Sequence, residues 1–173
     1  MKKISIILFL FLFISPINKV FAQDIYFINL KKVLNDSKAG SGAQQKLLKE
    51  YETQDKKFKD ESNALKKQET ELINQKKTLS GEDYKKKVSA LRKKNVDFQN
   101  RRRTASSNFV KKKNNARADL LEALNPILKK YMDENNIMMI LNEKNVILAN
   151  SKVDLTNVII ELLNKELKSI KLN

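Results

Sequence analysis

The chain has 173 residues, with 35 Lys+Arg against 20 Asp+Glu, no His and no Cys. Those two absences exclude imidazole acid/base chemistry, cysteine nucleophiles, disulfides, a lipid-modified N-terminal cysteine and His- or Cys-ligated metals. Three Gly, two Pro and 32% charged residues suit long helices better than a compact globule.

Residues 1–22 read as a cleavable secretory signal. Lys2 and Lys3 give a positive start, residues 4–14 an apolar run, Pro16 a break, and Val20-Phe21-Ala22 a small-residue exit. The apolar run is too short to span a bilayer as a helix. The mature chain is expected to start at Gln23. Removing the leader takes Lys2, Lys3 and Lys19 with it, leaving 32 basic against 20 acidic residues, a net charge of +12.

Residues 24–30 (DIYFINL) are β-branched and aromatic enough for a short strand, and residues 31–38 for one or two helical turns. Gly40 and Gly42 are expected to mark a bend. Nothing breaks a helix over residues 43–79, a length of about 55 Å at 1.5 Å per residue. Ser80-Gly81 interrupts it, with Glu82 and Asp83 placed for the first turn of a second helical stretch over 82–135. Pro126 is expected to kink that stretch or to start a new helix. The apolar runs 137–141 (IMMIL) and 146–149 (VILA), separated by Asn142-Glu143-Lys144-Asn145, predict a β-hairpin. Asp154 or Thr156 is expected to cap a final helix with an apolar stripe of Val158, Ile159, Leu162, Leu163, Leu167 and Ile170. The organisation is therefore a discontinuous body, 23–42 with 126–173, and a helical arm, 43–125, with its tip near 80–81.

Tyr51, Phe58, Leu65, Leu72 and Leu79 recur every seven residues, the spacing of a stripe facing a partner helix. The return stretch presents Tyr84, Val88, Leu91, Phe98, Ala105, Phe109 and Ala116 in steps of three and four. Folding back at Ser80-Gly81 pairs residues whose numbers add to 163: Leu72 with Leu91, Leu65 with Phe98, Phe58 with Ala105, Tyr51 with Lys112, and Leu47 with Ala116. The same rule sets Gln75 against Val88, Gln68 against Asn95, Glu61 against Arg102 and Gln54 against Phe109. Such polar layers fix register at a cost in stability, so the arm is expected to fold and yet to bend.

Charge divides unevenly between the two helices. Residues 43–79 carry nine Lys against seven acidic residues, whereas 84–117 carry thirteen basic residues against Asp97 alone. Four triplets concentrate the charge: Lys85-Lys86-Lys87, Arg92-Lys93-Lys94, Arg101-Arg102-Arg103 and Lys111-Lys112-Lys113. Three consecutive helical residues sweep about 200°, so each triplet covers more than one face, and part of each is a solvated surface. These twelve residues are the candidate binding surface.

Three short strands and two modest helices offer little sheet with which to close a body in one chain. Self-association is expected to bury Ile25, Phe27, Ile137, Met139, Ile147, Leu155, Leu162 and Leu163. Packing arguments alone do not choose the number of subunits. No paired carboxylates, phosphate loop or calcium-loop spacing occurs, so the chain carries no catalytic or metal constellation.

The order of strand, small helix, Gly pair, long polar hairpin, apolar runs and terminal helix resembles the Skp (OmpH) family of periplasmic chaperones. The resemblance is carried by Ile28-Asn29-Leu30 with Val33-Leu34, Ile127-Leu128-Lys129-Lys130-Tyr131 leading to residues 137–141, and residues 146–149 followed by Val153-Asp154-Leu155-Thr156. It implies a jellyfish-shaped homotrimer, mainly α with a small β part, whose hairpin arms enclose unfolded outer-membrane proteins in the periplasm without ATP or any cofactor. The basic triplets have no motif counterpart in that family; they would serve as client contacts. The same charge admits two other readings, a peripheral contact with an anionic membrane surface and non-specific nucleic-acid binding; no specific nucleic-acid motif is present.

Overall fold

The computed structural model describes residues 25–172, so the expected secretory signal lies outside the described residues. The chain runs through β1 (Ile25–Ile28), α1 (Leu30–Asp36), α2 (Lys38–Asn74), α3 (Gly81–Asn135), β2 (Met139–Asn142) and α4 (Thr156–Glu166), with single 3-10 turns at Gln75–Lys77, Glu143–Asn145 and Ser151–Val153.

Asn29 starts α1 by accepting a hydrogen bond from the Lys32 amide at 2.8 Å. The helix stops at Ser37, whose extended backbone turns the chain and whose hydroxyl accepts from the Gly40 amide at 3.1 Å, capping α2. The bend expected at Gly40 and Gly42 thus lies at Ser37, and both glycines sit inside α2. Gly40 serves a different purpose. A Cβ built on it would lie 1.7 Å from the Leu34 carbonyl oxygen, so only glycine lets the last turn of α1 abut the first turn of α2. Gly42 has nothing within 4 Å of the corresponding position.

Helix α2 spans 37 residues and α3 55, a length of about 80 Å for α3. Ser80 caps α3, accepting from the Asp83 amide at 3.1 Å and donating its hydroxyl proton to the Asp83 carboxylate at 2.7 Å. Pro126 neither breaks nor restarts the helix: α3 continues through it to Asn135. An exposed proline leaves one carbonyl of the preceding turn open to water, a cost that surrounding packing overrides. The helix ends at Asn136, left-handed at φ 53°, whose amide donates to the Met132 carbonyl.

The two arm helices are antiparallel, since contacts to Gln75, Gln68, Glu61 and Glu50 of α2 come from Lys87, Lys94, Arg101 and Lys112 in reverse order. The residues that the 163 rule sets opposite one another, Leu65 and Phe98, Leu47 and Ala116, and Ala43 and Leu120, are all buried, as the two sides of one seam should be. The larger rings reach along the seam: Tyr51 packs on Phe109 with centroids 5.3 Å apart, and Phe58 meets Phe98 edge-on at 5.9 Å.

The expected β-hairpin between 137–141 and 146–149 does not form. Strand β2 pairs instead with β1, parallel, with Ile25 opposite Met139 and Ile28 opposite Asn142. After β2 the Asn142 side chain accepts from the Lys144 amide and starts a 3-10 turn, and the Glu143 carboxylate accepts from Asn29 at the end of β1. Residues 146–149 belong to no strand, and Ile147 and Leu148 are fully exposed. Their apolar run signals burial without saying against what.

The core lies where α1, α3 and α4 close over one sheet face. Val33, Leu124, Ile159 and Leu163 are fully buried, with Ile28, Leu34, Ala39, Leu120, Ile137 and Leu155 around them. Burying one such aliphatic side chain contributes about 1.5–3 kcal/mol. Polar ties fix the geometry: the Leu155 amide donates to the Phe27 carbonyl at 2.9 Å, and the Asn29 amide donates to the Thr156 hydroxyl at 2.8 Å. Asp154 accepts from both the amide and the hydroxyl of Thr156, but neither is the cap expected from the sequence: the N-cap of α4 is Leu155, with no side-chain cap bond, and Thr156 is the first residue of the helix.

The glycine pair provides a test. Gly40→Ala should destabilise the folded chain by about 3 kcal/mol, because backbone must move to clear the Leu34 carbonyl. Gly42→Ala should stabilise it by up to about 1 kcal/mol, as expected for relieving a helix-interior glycine in open space. Urea unfolding followed by circular dichroism reads both; equal effects would refute the close approach.

Candidate binding surface

Three residues in a row cannot all face the same way on a helix, and α3 uses that fact to divide its basic triplets. Lys87, Lys94 and Arg101 are seven residues apart and lie on the side of α3 nearest α2. Lys87 Nζ donates to Gln75 Oε1 at 2.9 Å, Lys94 Nζ to Gln68 Oε1 at 3.0 Å, and Arg101 grips Glu61 with both terminal nitrogens, Nη1 reaching Oε2 at 3.0 Å. Lys112 adds a fourth rung to Glu50 at 2.7 Å. These partners lie one position from the facing pairs of the 163 rule. The apolar positions occupy the seam, and the long basic side chains reach into it from its flank, laying their stems along the apolar surface.

Two further members are also engaged. Arg102 sits over the Phe98 ring, 5.8 Å from its centroid, and Lys86 pairs with Glu82 one turn back at 2.9 Å. Lys85, Arg92, Lys93, Arg103, Lys111 and Lys113 have neither a hydrogen-bond nor an ion-pair partner on their side chains among the described residues. At 100° per residue Lys85, Arg92 and Arg103 fall within about 40° of Val96 and Val110, on the side of α3 turned away from α2. Both valines are exposed. The surface available to a ligand is therefore a basic stripe with apolar insets.

The ladder has an electrostatic signature at its one bidentate rung. The Arg101 hydrogen bonds and charge hold the Glu61 carboxyl below the ordinary carboxylate range, and Glu61 in turn raises the Arg101 guanidinium. On α2, the hydrogen bond and charge of Asp55 raise Lys59, to which it is paired at 2.7 Å.

The eight candidate association residues separate by burial. Ile137, Leu155 and Leu163 belong to the core of the single chain, and Leu162 packs against it. Ile25 and Met139 are opposite one another across the sheet and exposed; Phe27, opposite Leu141, is half-buried. By strand alternation these four residues form the outer face of the sheet, while Tyr26, Ile28 and Ile140 pack against the core. Met138, Ile147 and Leu148 are exposed as well, and among the described residues Ile25 and Met139 leave the outer sheet face open to solvent. Leu141 was not expected on this face because alternation does not say which face of a strand meets the core until its partner is known.

At the arm root a groove brings together Lys31 of α1, Leu48 of α2 and Lys113 and Arg117 of α3. Lys31, Leu48 and Arg117 carry no heptad or triplet signal, and only the crossing of three helices gathers them.

Glu61 supplies a pH test of the ladder. Its folded-state pKa is lowered, so its contribution to stability is complete above the unfolded carboxylate value and is lost as pH falls through the folded one. Glu61→Gln should lower the thermal midpoint at pH 7 in low salt, and the difference from wild type should shrink in acid and in high salt. A pH-independent difference in calorimetry would assign the effect to packing alone.

A search of curated proteins by sequence found no match. Among solved structures the fold is similar to a protein from Caulobacter crescentus CB15 proposed to be an OmpH-like outer membrane chaperone, with a TM-score of 0.80 and 16% identity over 86% of this chain and 88% of that one. At that identity the likeness speaks to the fold, a long helix pair on a small two-stranded body. The model of the family described as outer membrane protein (OmpH-like) matches residues 24–163, most of the sequence, and the chain belongs to that family.

Proposed function

We propose that the chain is an ATP-independent holding chaperone of the periplasm, a homotrimer whose arms surround unfolded outer-membrane proteins and keep them from aggregating. Membership of the OmpH-like family supports the chaperone class. The observation that carries the rest is the pairing of an apolar sheet face that the described residues leave open with a long arm whose outward side is basic and without ion-pair partners among those residues.

The apolar face of Ile25, Phe27, Met139 and Leu141 would meet neighbouring copies, where burial of large side chains contributes about 25 cal/mol per Å². The arms then project from a common base. Each arm holds its shape through a seam in which apolar pairs alternate with exposed polar rungs, which favours bending over rigid closure and suits clients of different size. Lys85, Arg92, Lys93, Arg103 and Lys111 offer many weak, sequence-tolerant contacts to acidic or polar stretches of a client, and several such contacts acting together hold it without a fixed motif. No chemical step is needed: release follows when folding elsewhere removes the unfolded chain from the equilibrium. A second reading, peripheral contact with an anionic membrane surface, draws on the same unpaired cations.

Dilution of a urea-unfolded outer-membrane protein into buffer should scatter light strongly alone and weakly with one assembly per client. No suppression at that ratio rejects the reading. The triple variant Lys85→Glu/Arg92→Glu/Arg103→Glu should weaken capture at low ionic strength and flatten its salt dependence, since exposed charges are screened over about 10 Å at 0.1 M. Ile25→Asp with Met139→Asp should shift the intact mass in solution towards the single chain; an unchanged mass would place the subunit contact elsewhere.

A further inference from the structure

We propose that the groove at the root of the arm is a docking site for an extended polypeptide segment in which apolar and acidic residues alternate. The inference rests on the holding-chaperone reading and gives it a definite point of attachment, separate from the basic stripe farther along α3.

The groove lies where α1 crosses the start of α2 and the end of the arm portion of α3. Its volume is about 900 Å³, near the top of the ~300–1,000 Å³ range of ligand clefts. Its floor is apolar, with Leu47, Phe109 and Leu120, and Leu48 stands at it 56% exposed. Lys31, Lys113 and Arg117 bring positive charge from two different elements, and the lining contains no Asp or Glu. None of the three cations has an ion-pair partner among the described residues. An apolar floor beneath uncompensated cations calls for an occupant that is both apolar and anionic.

Spacing favours polypeptide over an acyl chain. Lys113 and Arg117 are one helical turn apart, a rise of about 6 Å. Alternate residues of an extended chain are about 6.6 Å apart on one side, with the intervening residues pointing the other way. Two carboxylates at alternate positions would therefore meet Lys113 and Arg117 while their neighbours turn to the leucine and phenylalanine floor. The groove also presents the side-chain amides of Gln45 and Asn114, beside Gln44, whose Nε2 already donates to Asn35 Oδ1 at 2.8 Å. Those groups complement backbone N–H and C=O, whereas an acyl chain laid across them would strip their water and return no hydrogen bond.

The test uses the intact mature assembly and a fluorescein-labelled nonapeptide of alternating Leu and Glu, read by anisotropy. Wild type should bind it, and the same peptide with Lys for Glu should not. Lys113→Glu/Arg117→Glu should weaken binding at least tenfold and Leu48→Ser severalfold, whereas Lys66→Glu/Lys67→Glu, an equal charge change on the outer side of α2, should bind as wild type. Circular dichroism melting checks that each variant folds. Unchanged binding by Lys113→Glu/Arg117→Glu overturns the proposal, as does equal binding of the Lys peptide. Displacement of the peptide by dodecanoate at lower concentration would make the groove a lipid site, and a fall in assembly mass on the Lys113→Glu/Arg117→Glu change would make it a subunit contact; either result also overturns it. Failure of wild type to bind the peptide while still suppressing aggregation sinks the groove and leaves the holding function standing; failure of both sinks the function.

Discussion

Strands β1 and β2 run in the same direction, with Ile25 beside Met139, although three helices separate them in sequence. A parallel pair cannot be joined by a tight turn; the chain must leave one end of the sheet and re-enter at the other. Here the crossover is the whole arm. That requirement explains why α3 is longer than α2. The seam between them closes at Ala43 and Leu120, and α3 then continues alone over α1 and α4, burying Leu124 before it delivers the chain to β2. The body is thus completed only by the last stretch of the arm's return helix, and the ties from Asn29 to Thr156 and from Phe27 to Leu155 seal the two ends of the chain together.

Much of the arm was legible because a seven-residue repeat is a local, periodic signal. Leu65, Leu72 and Phe98 could be placed on a shared stripe from spacing alone, and they are buried. What escaped was whatever depends on a third element. Gly40 reads as a bend in the sequence, yet its purpose is to admit the Leu34 carbonyl of α1, which no pattern within α2 encodes. Residues 146–149 read as a strand because they are apolar, but a strand is defined by its partner, and among the described residues they pair with none. The polar layers were anticipated in kind and missed by one position: the cation that reaches Glu61 is Arg101, because a long side chain works from beside the seam, and its neighbour Arg102 lies over Phe98.

The members of each basic triplet are divided between two settings. One member of each sits where it can staple α3 to α2, through Gln75, Gln68, Glu61 or Glu50, while others remain exposed to whatever approaches. The staples replace part of the apolar contact that a continuous coiled coil would have, and in the proposed function the exposed members would supply attraction at a distance. Because both would rest on charge in solvent, salt is expected to weaken arm cohesion and the proposed client attraction together. A near-neutral α2 beside a strongly basic α3 gives the arm an electrical front and back, so an approaching acidic chain meets different sides of it on different terms.

Helix α3 passes from the tip into the body without a joint, and its uninterrupted length has a mechanical consequence. Force applied near Ser80 acts on the core through a lever of many turns, so a small sideways load at the tip arrives as a large torque where Gly40 touches α1. Flexure has to be spread along the shaft or concentrated at Pro126, the one place where the helix's own hydrogen-bond chain is interrupted. Stiffening that position would pass strain directly into the packed base, and softening it would let the shaft swing while the base stays intact.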